Sequence, residues 1–419
     1  DNCQVQPPRE PCLRTSPTNI GMALLAVLSA EDLGLCPRDR AVTILREMLE
    51  TLEKLPKWHG HLYNWYDTAS GVPLAPRFVS SVDSGNLCAC LVALGEGLAE
   101  WGERELARRA NELSAAADFA RFYDADRGLL RIGWDAGRGA YSPGWYDLMA
   151  SEARLTSYLA VARGQAPLRH WRRLGRGEVR SRGRWAMVSW TGSVFEYFMP
   201  NLLLPVERGS LMHRALAACV RVQGGLGRRR GIPWGFSESC FCALDKSGSY
   251  RYKAHGAGAL GLRRGLDEEW VSAPYASFLA LCLVPERAVE NLRQLEKLSP
   301  PGEYGPWEAV DFTERRMAQG RRWETAYTVM AHHLGMSLAA IDNALRGNAM
   351  QKRFLRSPLM NAYRELLQER ADAPTPPRTR KSRGGGERGE RLPRPDRMGG
   401  RGAAVPAHGT AEHRGKKWI

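Results

Sequence analysis

The sequence predicts an all-α toroid, and three observations carry that expectation. Eleven segments repeat apolar residues at helical spacing, the loops between them are rich in Gly, Trp and Ser, and strand-like runs are short. Only Leu129–Trp134 and Trp185–Trp190 read as strands of any length. Helix pairs joined by aromatic loops suit a rigid scaffold with one functional rim. Periodicity alone leaves an irregular helical bundle open.

Thr18 is the expected N-cap of a first helix carrying Ile20, Leu24, Leu25 and Leu28 on one face. A second helix fits Arg38–Leu55, where Ala41, Ile44, Leu45, Met48, Leu49 and Leu52 form the apolar stripe. Between Trp58 and Val82 the pattern breaks into a long aromatic loop, as functional loops tend to do. Asp83 or Ser84 is the expected cap of a helix over Asn86–Trp101. Further helices are expected over Glu103–Tyr123, Leu148–Ala162, Ser193–Leu203, Ser210–Gln223, Pro274–Leu283, Glu286–Lys297, Thr325–Leu345 and Gln351–Glu369.

At 419 residues, with 43% apolar and 9% aromatic content, the chain has ample core for one large domain or two ordinary ones. Its formal net charge of +15 is unevenly placed: residues 371–419 hold twelve Lys/Arg against five Asp/Glu. That Pro, Gly and Arg-rich stretch has almost nothing to bury, so a disordered basic tail is expected there. No aromatic residues interleave its arginines to stack on bases, which argues against a nucleic-acid partner. The opening residues lack an initiator Met and a leader, and residues 1–14 read as a linker from a preceding domain. Apolar runs such as Met22–Ala30 fall well short of the roughly 20 residues that span a bilayer, so a soluble segment is expected. Nine cysteines show no disulfide framework; Cys88 and Cys90, like Cys240 and Cys242, are CxC rather than CxxC pairs, and there is no HExxH. No cofactor and no metal is called for.

The stretch Gly231–Phe241, GIPWGFSESCF, sets the carboxylate of Glu238 among Trp234, Phe236 and Phe241. Aromatic faces stack on pyranose rings, and a carboxyl desolvated by such neighbours can hold a transferable proton. The bland reading is a loop with a structural Glu. Tyr63, Trp65 and Tyr66 are either a stacking platform or core plugs. Asp83 either bonds sugar hydroxyls or caps its helix, and Glu196 reads as a buried structural partner. Trp307 and Glu308 are placed to line the far side of a cleft, with Asp311 as a cap, while His332 and His333 read as satisfied core residues. Gly256–Gly261 matches GxGxxG formally, but no strand precedes it, so it reads as a loop.

The ordered motifs RTSPTNIG, GHLYNWYDT, FVSSVDSGNL, YDLMASEARL, HWRRLGR, SWTGSVFEYFMP, PWGFSES, LGLRRGL and AYTVMAHHLGMSL resemble the middle, glycoamylase-like region of bacterial cyclic β-1,2-glucan synthases. The resemblance covers roughly Thr15 to Arg370, giving a domain over residues 15–370 between the linker and the tail. It implies an (α/α)6-barrel that closes a linear β-1,2-glucan into a ring by retaining transglycosylation. In such a synthase a glycosyltransferase domain and a phosphorylase-like domain are partners, at the cytoplasmic face of the inner membrane. By resemblance Glu238 and Glu152 are the catalytic pair, with one as nucleophile and one as acid/base. Asp83, Asp147, Tyr63, Trp65, Tyr66, Trp234, Phe236, Trp307 and Glu308 are the expected sugar contacts. The bland reading of Glu152 is an ion pair with Arg154. An endo-β-1,2-glucanase-like hydrolase, or a non-catalytic glucan-binding or inactive fragment, are the alternatives. Two departures stand out: AHGAGA replaces an aromatic and polar stretch, and Leu334 replaces a common Gln. A full toroid needs twelve helices, so either one escapes the pattern or the ring is incomplete.

Overall fold

The structure, a computed structural model, describes residues 1–181 and 183–370. The expected tail over residues 371–419 lies outside the described residues. Thirteen helices are described: α1 (Pro17–Asp32), α2 (Arg38–Lys54), α3 (Ser81–Glu100), α4 (Arg104–Ala115), α5 (Ala153–Ala162), α6 (Leu168–Arg173), α7 (Val194–Phe198), α8 (Leu211–Arg230), α9 (Pro274–Leu279), α10 (Pro285–Leu298), α11 (Ala331–Leu345), α12 (Ala349–Arg356) and α13 (Pro358–Asn361).

The odd-numbered helices from α1 to α11 form an inner ring. Each packs on the next, α7 reaching α5 through the 3-10 turn Met199–Leu202, and α11 closes back on α1. The even-numbered helices pack outside, α2 on α1, α4 on α3, α6 on α5, α8 on α7, α10 on α9 and α12 on α11 and α3. This is a complete toroid of six inner and six outer helices, and the segment that escaped the sequence pattern is α6. Burial follows position. Every residue of α5 is buried, whereas α2 buries only the stripe Ala41, Val42, Leu45, Leu49 and Leu52. Each such buried Leu contributes about 1.5–3 kcal/mol.

The inner ring is tight because small residues allow it. A Cβ on Gly85 of α3 would sit 1.9 Å from Thr156 Oγ1 of α5, so only glycine permits that approach. The GxGxxG look-alike is a loop, and its first glycine serves packing: a Cβ on Gly256 would sit 2.0 Å from the Thr191 carbonyl oxygen. None of the helices is long and apolar enough to cross a membrane, among the described residues.

Several boundaries differ from expectation. Ser16, not Thr18, caps α1, its Oγ accepting from Asn19 N at 3.1 Å. Ser80, rather than Asp83 or Ser84, caps α3. Glu103–Tyr123 is α-helical only to Ala115, with a 3-10 turn at Phe119–Phe122, and Leu148–Ala162 is helical only from Ala153. Thr325–Leu345 begins as the strands Glu324–Ala326 and Thr328–Met330 before α11, and Pro358 divides the last expected helix. Residues 1–14 lie on the body, with Asn2–Gln4 antiparallel to Thr328–Met330.

Candidate active site

The first turns of the inner helices converge on one acidic centre. Thr18 of α1, Asp83 of α3, Glu152 at the head of α5, Glu196 of α7, Tyr275 of α9 and His333 of α11 all stand at helix N-termini. The positive ends of these helices offset part of the negative charge gathered there.

Glu238 is delivered by the loop after α8. That helix ends on Gly231 in the left-handed conformation, φ 66°. Gln223 then grips Phe236 at both ends, its Oε1 accepting from Phe236 N at 2.8 Å and its Nε2 donating to Phe236 O at 2.7 Å. Asn291 does the same for Trp234, at 3.0 and 2.7 Å. Tyr275 donates to the Glu238 carbonyl at 2.9 Å and meets Ser237 Oγ at 2.7 Å. Since the phenol has one proton, Ser237 is the donor in the second contact.

The Glu238 side chain, 7% exposed, bonds the Tyr252 phenol. Burial pushes its carboxyl well above the usual range, and the charges of Glu152 and Glu196 push it further. Burial likewise lifts Glu152 to about 8, with Asp83 adding repulsion and an Asn86 hydrogen bond opposing it. Tyr146 lies within electrostatic reach of Glu152, Asp83 and Glu238, and its phenol bonds Ser80. The two acids named from the sequence therefore feel one another. Arg154 does not pair with Glu152; it donates to Asn201 Oδ1 at 2.9 Å and to the Tyr197 carbonyl at 3.3 Å.

The remaining expected contacts separate into two groups. Asp83 sits beside Glu152, its Oδ1 accepting from Thr18 Oγ1 at 2.6 Å. Glu308 is buried against Glu238's support: His333 Nδ1 lies 2.9 Å from its Oε1, and Cys240 N donates to it at 3.3 Å. Burial pushes the Glu308 carboxyl up and the His333 imidazole down, both toward their neutral forms. Asp147 holds a buried Oδ1 without a hydrogen-bond partner. Tyr63 and Trp65 are half-buried, Trp65 beneath the Arg14 guanidinium at 4.1 Å, and Trp307 stands edge-on to Tyr327.

Three aromatics belong to the core instead. Phe236, 1% exposed, packs edge-on against Trp270, so no sugar can stack on it. Trp234 is buried too, 7% exposed, with its backbone held at both ends by Asn291. Tyr66 is fully buried, its hydroxyl donating to Pro56 O at 2.6 Å. Glu196 is structural, as expected: it closes a capping box with Ser193 and accepts from Ser189 Oγ and Thr191 Oγ1, each at 2.7 Å. His333 is more than a core residue, since its ring stacks on Tyr275. Sequence reasoning passed over Tyr146, Tyr252 and Tyr275. Only Tyr146 had a signal, lying within YDLMASEARL.

Six inner helices whose N-termini surround a set of carboxyl groups of raised pKa define an (α/α)6-barrel protein with its polar centre at one rim. The Glycoamylase family model matches residues 144–358, just over half of the chain, and the chain belongs to that family. It is 32% identical, over 503 aligned residues, to the cyclic β-(1,2)-glucan synthase NdvB of Rhizobium meliloti (strain 1021), covering 90% of this chain and 18% of that protein. The chain thus spans under a fifth of the length of that relative. Solved structures share the fold. The endo-β-1,2-glucanase of Chitinophaga pinensis, seen with sophorotriose and glucose, superposes with TM-score 0.70 at 17% identity over 88% of this chain and 91% of that one. That of Talaromyces funiculosus, seen with sophorose, gives 0.68 at 14% identity over 86% and 81%.

Proposed function

We propose that this chain is the transglycosylating part of a cyclic β-1,2-glucan synthase, with Glu152 and Glu238 as its catalytic pair and linear β-1,2-glucan as its substrate. The observation that carries the reading is the coupling of these two carboxyls at the barrel rim, in a chain 32% identical to NdvB over 90% of its length. In a retaining route, one ionised carboxyl attacks C1 of a glucosyl unit while the other gives its proton to the departing O2. The free O2–H at the far end of the same chain then attacks C1 of the glycosyl-enzyme. Its proton returns to the acid/base, the ester breaks, and a ring leaves with no water consumed. Asp83, Asp147, Tyr63, Trp65 and Trp307 are proposed to hold the sugar. Glycosyltransferase and phosphorylase-like domains of a full-length synthase would supply and trim the glucan, at the cytoplasmic face of the inner membrane.

Fold likeness to endo-β-1,2-glucanases supports a second reading, in which water takes the place of the sugar hydroxyl. Incubation with linear β-1,2-glucan and mass analysis separates the two. Products lighter than linear chains by one water support cyclisation, and short linear chains support hydrolysis. Unchanged substrate, or full activity in Glu238→Gln, overturns the catalytic assignment.

A further inference from the structure

Away from the acidic centre, α5 carries a buried cation with no ion-pair partner among the described residues. Arg154 is 2% exposed and enters no ion pair among the described residues; its Nε and one of its terminal nitrogens have no acceptor. Burial pushes the guanidinium down to about 9. Such groups, left dry and unpaired, cost several kcal/mol, which makes an occupant the expected remedy.

A cavity lies against this side chain, lined also by Trp171, Asn201, Met149, Leu211 and Glu369 among others. Trp171 is itself buried, 3% exposed, and its indole N–H likewise lacks an acceptor. The orphaned side-chain atoms on this cavity wall are therefore all donors. Its side-chain oxygens each already receive a donor: Asn201 Oδ1 from Arg154, and the two Glu369 oxygens from Arg176, at 2.6 and 2.7 Å. The cavity is small, with room for no more than a single small guest.

We propose that this cavity binds one small monovalent anion, chloride in the cell, between the Arg154 guanidinium and the Trp171 indole. Donors from two helices, α5 and α6, an uncompensated guanidinium and a lining whose one carboxylate is already paired with Arg176 suit a small anion, which can accept from both donors. Because Arg154 follows Glu152 by two residues, the ion would also brace the head of α5. The site does not depend on the proposed glucan chemistry.

Crystals soaked in sodium bromide should show an anomalous peak between Arg154 and Trp171. Thermal melts in sodium chloride should exceed those in sodium gluconate at equal ionic strength, by about 2 °C per tenfold rise in chloride above its Kd. Trp171→Phe keeps the ring and loses the donor, and should weaken the chloride dependence roughly tenfold. Arg154→Gln should abolish it; if that variant fails to fold, Trp171→Phe still decides. Water-only density, or identical melts in the two salts, would sink the proposal.

Discussion

The ring of Tyr275 lies flat on that of His333, centroids 3.6 Å apart and planes 8° from parallel. Glu308 anchors the imidazole, and the Tyr275 hydroxyl holds the backbone of Glu238, so three residues distant in sequence position one carboxylic acid. Tyr275→Phe keeps the stack and removes two hydrogen bonds. Its kcat on β-1,2-glucan should fall about tenfold with KM little changed and the melting temperature a few degrees lower, whereas Tyr275→Leu should also raise KM and lower the melting temperature further. Steady-state kinetics beside a thermal melt distinguishes these outcomes.

The pH profile follows from the pair. Catalysis needs one carboxyl ionised and the other protonated, and both are held above the ordinary range, Glu152 at about 8. Below that pH the pair keeps both protons, so the acid limb of kcat/KM should fall near pH 8 instead of near pH 4. Asp83→Asn removes a neighbouring negative charge and should move the limb to lower pH. A limb unmoved by that change would separate Asp83 from the pair.

Stability should oppose activity at Glu152. Its folded pKa is raised, so between about pH 4.5 and pH 8 the unfolded chain ionises while the folded chain does not, and folding weakens as pH rises. Glu152→Gln removes this burden. Melts should show the variant up to about 4 kcal/mol more stable at pH 8 and little different at pH 4.

Gly85→Ala tests the tightness of the inner ring. The added Cβ has to displace Thr156, and with it the helix that begins at Glu152. A loss of about 2 kcal/mol or more is expected, together with reduced turnover. A neutral result in chemical denaturation would show that α3 and α5 can part without cost.

Much of the ring was legible because its long helices repeat their apolar positions over several turns. The helix α6 was not, since six residues give too little period, and burial of His170 and Trp171 is set by neighbours on other elements. Thr325–Leu345 misled for a different reason: its strands of three residues, ETA and TVM, are almost wholly buried and run straight into α11, so the whole stretch reads as one element. At the site, Glu238 and Glu152 stood out through their surrounding motifs. The Tyr275, His333 and Glu308 support did not, because stacking and hydrogen bonding across 25 or more residues leave no spacing to read. Phe236 misled because aromatic composition looks alike whether a ring faces a sugar or packs against Trp270.

Glu196 has consequences beyond its own helix. With its oxygens saturated by local donors, it adds a standing repulsion at Glu238 and, more weakly, at Glu152. An inhibitor carrying a basic nitrogen in place of the anomeric carbon would take up a proton among these acids, and its positive charge would relieve the repulsion that keeps them from ionising together. Iminosugar mimics of sophorose should accordingly bind more tightly than neutral sophorose itself.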